Sequence, residues 1–284
     1  MKTLITIEEV TSMRNQWRRD RLSIGLVPTM GALHDGHLSL IDESKKYADK
    51  IIASIFVNPT QFGPNEDFAK YPRTLEDDIK ALESRGVDAV FLPNAADIYP
   101  SEFQTFISNN KISAQLCGQN RPGHFNGVLT VVMKLFQLTG ANTACFGKKD
   151  YQQLKVIERM VKDLNLDIQI IGCEIIRDSD GVAMSSRNRY LSEEEKKAAK
   201  CLSEALNAVK QSYDSGTRVS SELLAAGTKV LKSSSGIKVE YFEVRSQDHL
   251  SEPNEGENIE ESSVVLVAAN VGETRLIDNV ELGQ

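Results

Sequence analysis

LSIGLVPTMGALHDGHLSLI, residues 22–41, decides the fold. Leu22 to Pro28 is a short apolar run of strand length, and Leu38, Leu40, Ile41 and Ser44 follow a helical spacing. Between them Pro28-Thr29-Met30-Gly31-Ala32-Leu33-His34-Asp35-Gly36-His37 delivers a strand straight into a helix N-terminus. Unpaired N–H groups and the positive end of the helix dipole attract an anion there. Gly31 and Gly36 let the backbone come close, and His34 and His37 can aim both imidazoles at one point. A preorganised donor facing developing charge contributes about 2.7–4 kcal/mol, against about 0.3–1 kcal/mol from the dipole. The histidines therefore carry more of the expected chemistry. Taken alone, the residues also allow a turn with two solvated histidines, or a two-histidine metal site with Asp35 nearby.

Outward from this unit, 50–57, 88–93, 143–147 and 167–172 read as further strands alternating with helical patterns, as in stacked βαβ units. Val128, Val131, Val132, Leu135 and Phe136 form one helical stripe. Thr74 with Asp77, and Asp150 with Gln153, look like helix starts. Beyond about residue 175 the pattern changes. Asp178 to Gly181 is turn-like, and Ser192 to Glu195 is a capping box. It opens a helix with the stripe Ala198, Ala199, Leu202, Ala205, Leu206 and Val209. A second helix is expected at 219–232, then strands at 237–245, 263–269 and 273–278, with an acidic loop from Ser251 to Ser262. The expected architecture is α/β, a Rossmann-like parallel-sheet N-terminal domain over residues 1–175 and a smaller α+β lid domain over 176–284. A hinge between Gly172 and Gly181 would put the residues after it at the mouth between domains, where ligands commonly bind.

The chain has 284 residues, 33 Lys+Arg against 40 Asp+Glu, and a formal charge of −7. An acidic balance gives no general attraction for a polyphosphate backbone, so nucleic acid is not an expected partner. The longest apolar run, Ile51 to Val57, falls far short of the roughly 18–20 residues of a membrane span, so no membrane partner is expected either. The N-terminus turns charged early and lacks the apolar centre of a secretory signal, so a mature cytoplasmic start is expected. Cys117, Cys145, Cys173 and Cys201 have unrelated flanks and no CxxC pairing, so buried free thiols are expected.

His34-x-Gly36-His37 after the first strand resembles the phosphate-binding signature of the HxGH nucleotidyltransferase superfamily. A second signature of that superfamily has its counterpart at Met184-Ser185-Ser186-Arg187, where hydroxyls and a guanidinium can hold leaving phosphates. The segments Phe56–Phe68, Tyr71–Thr74, Arg121–Phe125, Gly127-Val128, Thr130–Val132, Lys134–Phe136, Phe146–Asp150 and Gln152-Gln153 closely resemble the pantoate:beta-alanine ligases, from about residue 24 to 191. That resemblance implies an enzyme that forms a pantoyl adenylate from ATP and (R)-pantoate with loss of pyrophosphate. The beta-alanine amine then attacks the acyl carbon, giving pantothenate and AMP. Mg2+ would enter with ATP, and a homodimer is implied by the resemblance alone.

The same resemblance implies the site. Met30, Gly31, Ala32, Leu33, His34, Asp35, Gly36 and His37 would bind ATP, with His37 and His34 catalytic. Gln61 and Gln153 match pantoate-binding glutamines, with Asn58 on the same loop as Gln61. Lys149 would neutralise the α-phosphate, Gly147 and Asp150 would lie against the ribose, and Lys148 departs from the family's Glu. Ile176 matches a backbone contact to adenine. Met184, Ser185, Ser186 and Arg187 would hold pyrophosphate, with Arg187 counted as catalytic. Arg121 and His124 match positions facing the substrates. No protein metal site is expected; Asp77 and Asp78 could act through water on Mg2+ or simply form a solvated helix face. On the residues alone, Gln61 also suits a turn, Gln153 a cap for Asp150, Lys148-Lys149 a solvated pair and His124 packing behind the site. Another transferase of the superfamily, or a catalytically idle nucleotide-binding protein, are the competing readings.

Overall fold

The computed structural model of the chain describes residues 1–64 and 66–283; Asn65, inside the Phe56–Phe68 motif, and Gln284 lie outside the described residues. In chain order the first elements are β1 (Lys2–Leu4), α1 (Ile7–Arg19), β2 (Ile24–Thr29), α2 (Asp35–Ser44) and β3 (Lys50–Ile55). Then come α3 (Leu75–Ser84), β4 (Ala89–Phe91), the single turns α4 (Ala95–Ile98) and α5 (Cys117–Asn120), and α6 (His124–Thr139). β5 (Thr143–Gly147), α7 (Tyr151–Asp163) and β6 (Gln169–Cys173) complete the series.

Six parallel strands form one sheet in the order β1-β4-β3-β2-β5-β6. β2 pairs with β3 on one side, from Ile24↔Lys50 to Thr29↔Ile55, and with β5 on the other through Gly25↔Thr143 and Leu26↔Ala144. The strand order therefore reverses between β2 and β5. In open parallel sheets, ligands bind outside the carboxyl ends of strands at such a switch point. Residues 30–37 leave the carboxyl end of β2 there, and Lys148 leaves that of β5. Both strands are apolar on both faces, as helix-covered parallel strands must be. The α6 stripe is buried at all five expected positions.

The five strands expected for this sheet are present, each bound within two residues of its expectation. β1 and α1 were not expected. β1 is only three residues long and two of them are exposed, so it carries little apolar signal. Thr6-x-x-Glu9 is nevertheless a capping box: Glu9 N donates to Thr6 Oγ1 at 3.2 Å and Thr6 N to Glu9 Oε2 at 3.1 Å. α3 does start after Thr74, but the hydroxyl makes no cap bond and donates to Asp78 Oδ1 at 3.1 Å.

Contacts divide the chain into two units, one of Met1–Lys148 with Gln152–Glu174, the other of Lys149–Tyr151 with the chain from Ile175 onward. In the second unit α8 (Glu193–Asp214) and α9 (Ser220–Ser233) precede the antiparallel sheet β7 (Ile237–Ser246), β8 (Ser263–Val271) and β9 (Thr274–Leu282), paired in that order. Ser192 and Glu195 form the expected capping box. The α8 stripe packs on Val265, Val267, Ala269 and Val271 of β8, with helices and strands segregated as expected. All four cysteines are buried and free.

Candidate active site

The turn from β2 into α2 is shaped by two consecutive residues in the left-handed region, Gly31 (φ +82) and Ala32 (φ +50). A side chain at Gly31 would be strained by that φ, and its Cβ would press to 3.0 Å from Asp78 Oδ2 and Ile55 Cγ2. Asp78 is 3% exposed, so the reading of a solvated face is corrected for this residue. Its Oδ2 accepts from Ala32 N at 2.9 Å and its Oδ1 from Leu33 N at 2.8 Å. The carboxylate thus satisfies two backbone donors that would otherwise be buried without partners. Any contact of Ala32 or Leu33 with a nucleotide must use other atoms. Asp77 is exposed.

His34 is the N-cap of α2 in extended backbone, and its side chain makes no capping bond. Its carbonyl accepts from His37 N at 2.8 Å and Leu38 N at 3.1 Å. The His34 and His37 rings lie with centroids 4.0 Å apart and tilted by 36°, so both imidazoles do share one place. Asp35 is exposed and Gly36 half-buried beside them.

Gln61 ends a 3-10 turn, Pro59–Gln61, and is buried. Its Nε2 donates to Met30 Sδ at 3.0 Å, which joins this turn to the end of β2. Asn58, 1% exposed, donates from Nδ2 to Gln61 Oε1 at 3.0 Å and to Gly127 O at 3.1 Å. Its Oδ1 accepts from Thr60 Oγ1 at 2.9 Å and Tyr99 OH at 2.8 Å. Asn58 is thereby spent on orienting Gln61. α6 approaches the turn closely because position 127 is Gly: a Cβ there would stand 2.3 Å from Thr60 O and 2.7 Å from Gln61 N.

Arg121 and His124 reach the same turn from behind. Arg121 holds Glu66 bidentately, Nε to Oε1 at 2.7 Å and Nη2 to Oε2 at 2.5 Å. His124 Nδ1 lies 2.7 Å from Gln61 O, so Nδ1 carries the proton, and Nε2 then accepts from Arg121 Nη1 at 3.1 Å. Burial pushes the Glu66 carboxyl up, but Arg121's bonds and charge, with the Gly63 N–H, leave it below its ordinary value. The same pair raises Arg121 against the opposing effect of burial. The pairing of Glu66 with Arg121 and the clamping role of Asp78 were not legible in the sequence, because nothing local marks a carboxylate whose partners lie tens of residues away.

At the end of β5 the Lys148 ammonium pairs with Glu174 at 2.6 Å. Gln153 is half-buried on α7, and its side chain makes no hydrogen bond among the described residues. Gln152 beside it is structural, accepting from Cys117 N at 3.0 Å and donating to Ile112 O and Gln115 O at 2.8 Å.

In the second unit Ile176 O accepts from Met184 N at 2.9 Å, closing a hairpin whose turn has Gly181 at φ +86. Asp178 Oδ1 accepts from Asp180 N and Val182 N, both at 2.9 Å. Ser185 caps the 3-10 turn Ser186–Tyr190 through a 3.3 Å bond from Arg187 N. Ser186 is buried and Arg187 half-buried. A cavity in this unit is lined by Lys149, Val182, Ala183, Ser185 and Asp278, among others. Lys149 Nζ lies 3.8 Å from Asp150 Oδ2.

The pantoate-beta-alanine ligase family model matches residues 2–281. A pantothenate synthetase of Geobacter sulfurreducens is 47% identical over 284 residues, covering 100% of this chain and 99% of that one. The crystal structure of pantothenate synthetase from Thermus thermophilus superposes with a TM-score of 0.93 at 39% identity, over 99% of each chain. That of the Francisella tularensis pantoate-beta-alanine ligase, complexed with beta-gamma ATP and beta-alanine, gives a TM-score of 0.81 at 37% identity over 99% of this chain and 97% of that one.

Proposed function

This chain belongs to the pantoate-beta-alanine ligase family, and from that premise we propose how its residues divide the reaction. It is a ligase that forms pantothenate from pantoate and beta-alanine with consumption of ATP. The observation that carries the residue assignment is the HxGH turn. It stands at the switch point of the parallel sheet, clamped by Asp78, with both imidazoles together at a helix N-terminus.

In the first half-reaction a pantoate carboxylate oxygen attacks the α-phosphorus of ATP, a P–O bond forms, and pyrophosphate leaves with the bonding pair of the broken bridge. His34, His37 and the first N–H groups of α2 offset the charge growing on the phosphoryl oxygens. Lys149 supplies a compact ammonium to the α-phosphate. Ser186 and Arg187 hold the departing pyrophosphate by charge-assisted bonds, and Arg suits a bidentate grip. Gln61 and Gln153 hold pantoate, because neutral amides can bond both its hydroxyl and its carboxylate without neutralising the nucleophile. In the second half-reaction the beta-alanine amine attacks the acyl carbon of pantoyl adenylate, forming the amide and releasing AMP.

Mg2+ would come with ATP and supply charge neutralisation of the phosphates, held by the nucleotide and water rather than by a protein cage. Both Asp78 oxygens are engaged by backbone donors, so of the Asp77-Asp78 pair the exposed Asp77 is the one able to act through water. Four buried free thiols fit a reducing, cytoplasmic setting. No helix among the described residues is long and apolar enough to cross a membrane. Family resemblance supports a homodimer and a nucleotide-bearing unit over residues 1–175 with a smaller lid-like unit over 176–284.

Incubation with ATP, Mg2+, pantoate and beta-alanine, followed by mass detection, should yield pantothenate and AMP in equal amounts. With pantoate but no beta-alanine, labelled pyrophosphate should still exchange into ATP. A strict need for beta-alanine in that exchange would replace the adenylate by a concerted path.

A further inference from the structure

Buried polar groups of the second unit converge on the backbone of Lys149. Asn279 Nδ2 donates to Lys149 O at 3.0 Å, and Asn279 N donates to Asp278 Oδ1 at 2.8 Å. Asp278 takes Arg177 bidentately, Nη1 to Oδ2 at 2.6 Å and Nη2 to Oδ1 at 2.9 Å. Arg177 Nη1 also donates to Gly181 O at 3.0 Å, inside the hairpin whose far arm leads from Ala183 into Met184-Ser185-Ser186-Arg187. Two residues further along β9, on the same face of the strand, Glu281 Oε1 accepts from Tyr151 OH at 3.1 Å. Lys149 to Tyr151 is thus tied to β9 at both ends, which accounts for its grouping with the second unit while Lys148 and Gln152 belong to the first.

Asp278 and Asn279 are each 3% exposed in the middle of a strand otherwise written Leu276-Ile277 and Val280. Both residue types are depleted in strands, and burying them is costly unless every bond is made. Packing alone would favour β-branched residues there. The positions are instead occupied by groups whose bonds run to Lys149 and to the hairpin before Ser185.

We propose that Asn279, backed by the Asp278–Arg177 pair, is a positioning residue for Lys149: it sets the backbone from which the ammonium reaches the α-phosphate, in register with the Ser185–Arg187 turn. This rests on the catalytic reading of Lys149 given above. A lysine side chain is long and flexible, so its charge is held no more accurately than the backbone that bears it. Misplacement of a reacting group by about 1 Å can cost a hundredfold in rate, and loss of one neutral bond that leaves the chain otherwise intact should cost less.

The test is a double-mutant cycle on adenylation, read as pyrophosphate exchange. Asn279→Ala should slow exchange about tenfold, leave ATP Kd within about twofold, and leave amide formation from supplied pantoyl adenylate unchanged. In a Lys149→Ala background the same substitution should cost nothing further. Asn279→Leu, which keeps a similar volume but has no donor, should reproduce the pattern if the alanine variant folds poorly. Equal losses in both backgrounds, an equal loss in the second half-reaction, or unchanged exchange would each overturn the inference alone. Wild-type exchange by Lys149→Ala would instead overturn the catalytic reading of Lys149 and this inference with it.

Discussion

Gly127→Ala tests whether pantoate recognition depends on how closely α6 approaches the Gln61 turn. The added Cβ would lie 2.3 Å from Thr60 O, 2.5 Å from Thr60 C and 2.7 Å from Gln61 N, where ordinary contact begins near 3.4 Å. All three neighbours are backbone atoms, so no flexible side chain can swing aside. Helix or turn must retreat by about 1 Å, and such overpacking costs about 1–3 kcal/mol. Alanine's better helix propensity returns about 0.5–1 kcal/mol, leaving a net loss of up to about 2.5 kcal/mol and a melting temperature lower by up to roughly 10 °C. The functional loss should be larger. Gln61 moves with the turn, Asn58 loses its grip on Gly127 O, and a 1 Å displacement of a substrate-positioning group costs about a hundredfold. Steady-state kinetics with pantoate varied should therefore show kcat/KM down about a hundredfold while ATP Kd holds. A variant that melts higher and keeps wild-type kcat/KM for pantoate would refute the close-approach argument.

Asp78→Asn should slow pyrophosphate exchange and cost about 1–3 kcal/mol of stability in thermal melts, because an amide accepts at one oxygen only and leaves the Ala32 or Leu33 N–H facing another donor. Asp77→Asn, altering an exposed residue, should leave the melt unchanged. Glu66 is held below its ordinary value in the folded state, so it contributes stability that is complete above its unfolded pKa of about 4.3 and is lost as pH falls through the lower folded value. In Glu66→Gln the acid limb of stability against pH should flatten in that window; an unchanged slope would mean that the Arg121 pair contributes nothing there. His34→Ala and His37→Ala should each lower single-turnover adenylation by about 10²–10³ with ATP Kd nearly unchanged, and raised Kd at an unchanged rate would make them ground-state binders.

The parallel sheet was legible because its strands are apolar on both faces and separated by helical periodicity, two signals that need no long-range knowledge. β1 was not, since pairing with β4 rather than composition makes a strand of Lys2–Leu4. The strand-to-helix turn, with its two histidines brought to one place, was legible from its local order alone. Its clamp was not: Asp78 reads as the third acidic residue of an acidic first helical turn, after Glu76 and Asp77. Only the fold brings it against Ala32 and Leu33. Arg177, Asp278 and Asn279 were silent for the same reason, as partners separated by about a hundred residues.

Hydrogen-bond saturation sorts residues that motif likeness treats alike. Asn58 and Gln61 sit three apart on one loop, yet the Asn58 amide donates to two protein acceptors and its oxygen receives protein donors. Such an amide could meet a substrate only by abandoning bonds it already makes, at the desolvation cost of each partner left behind. Gln61 keeps one N–H beyond its bond to Met30, and Gln153 makes no side-chain bond among the described residues. Arg121 and His124 fall on the Asn58 side of this division, their known bonds going to Glu66, to each other and to Gln61 O. On the assignment proposed above, pantoate would be gripped by two glutamines, with Asn58, Arg121 and His124 fixing where Gln61 points.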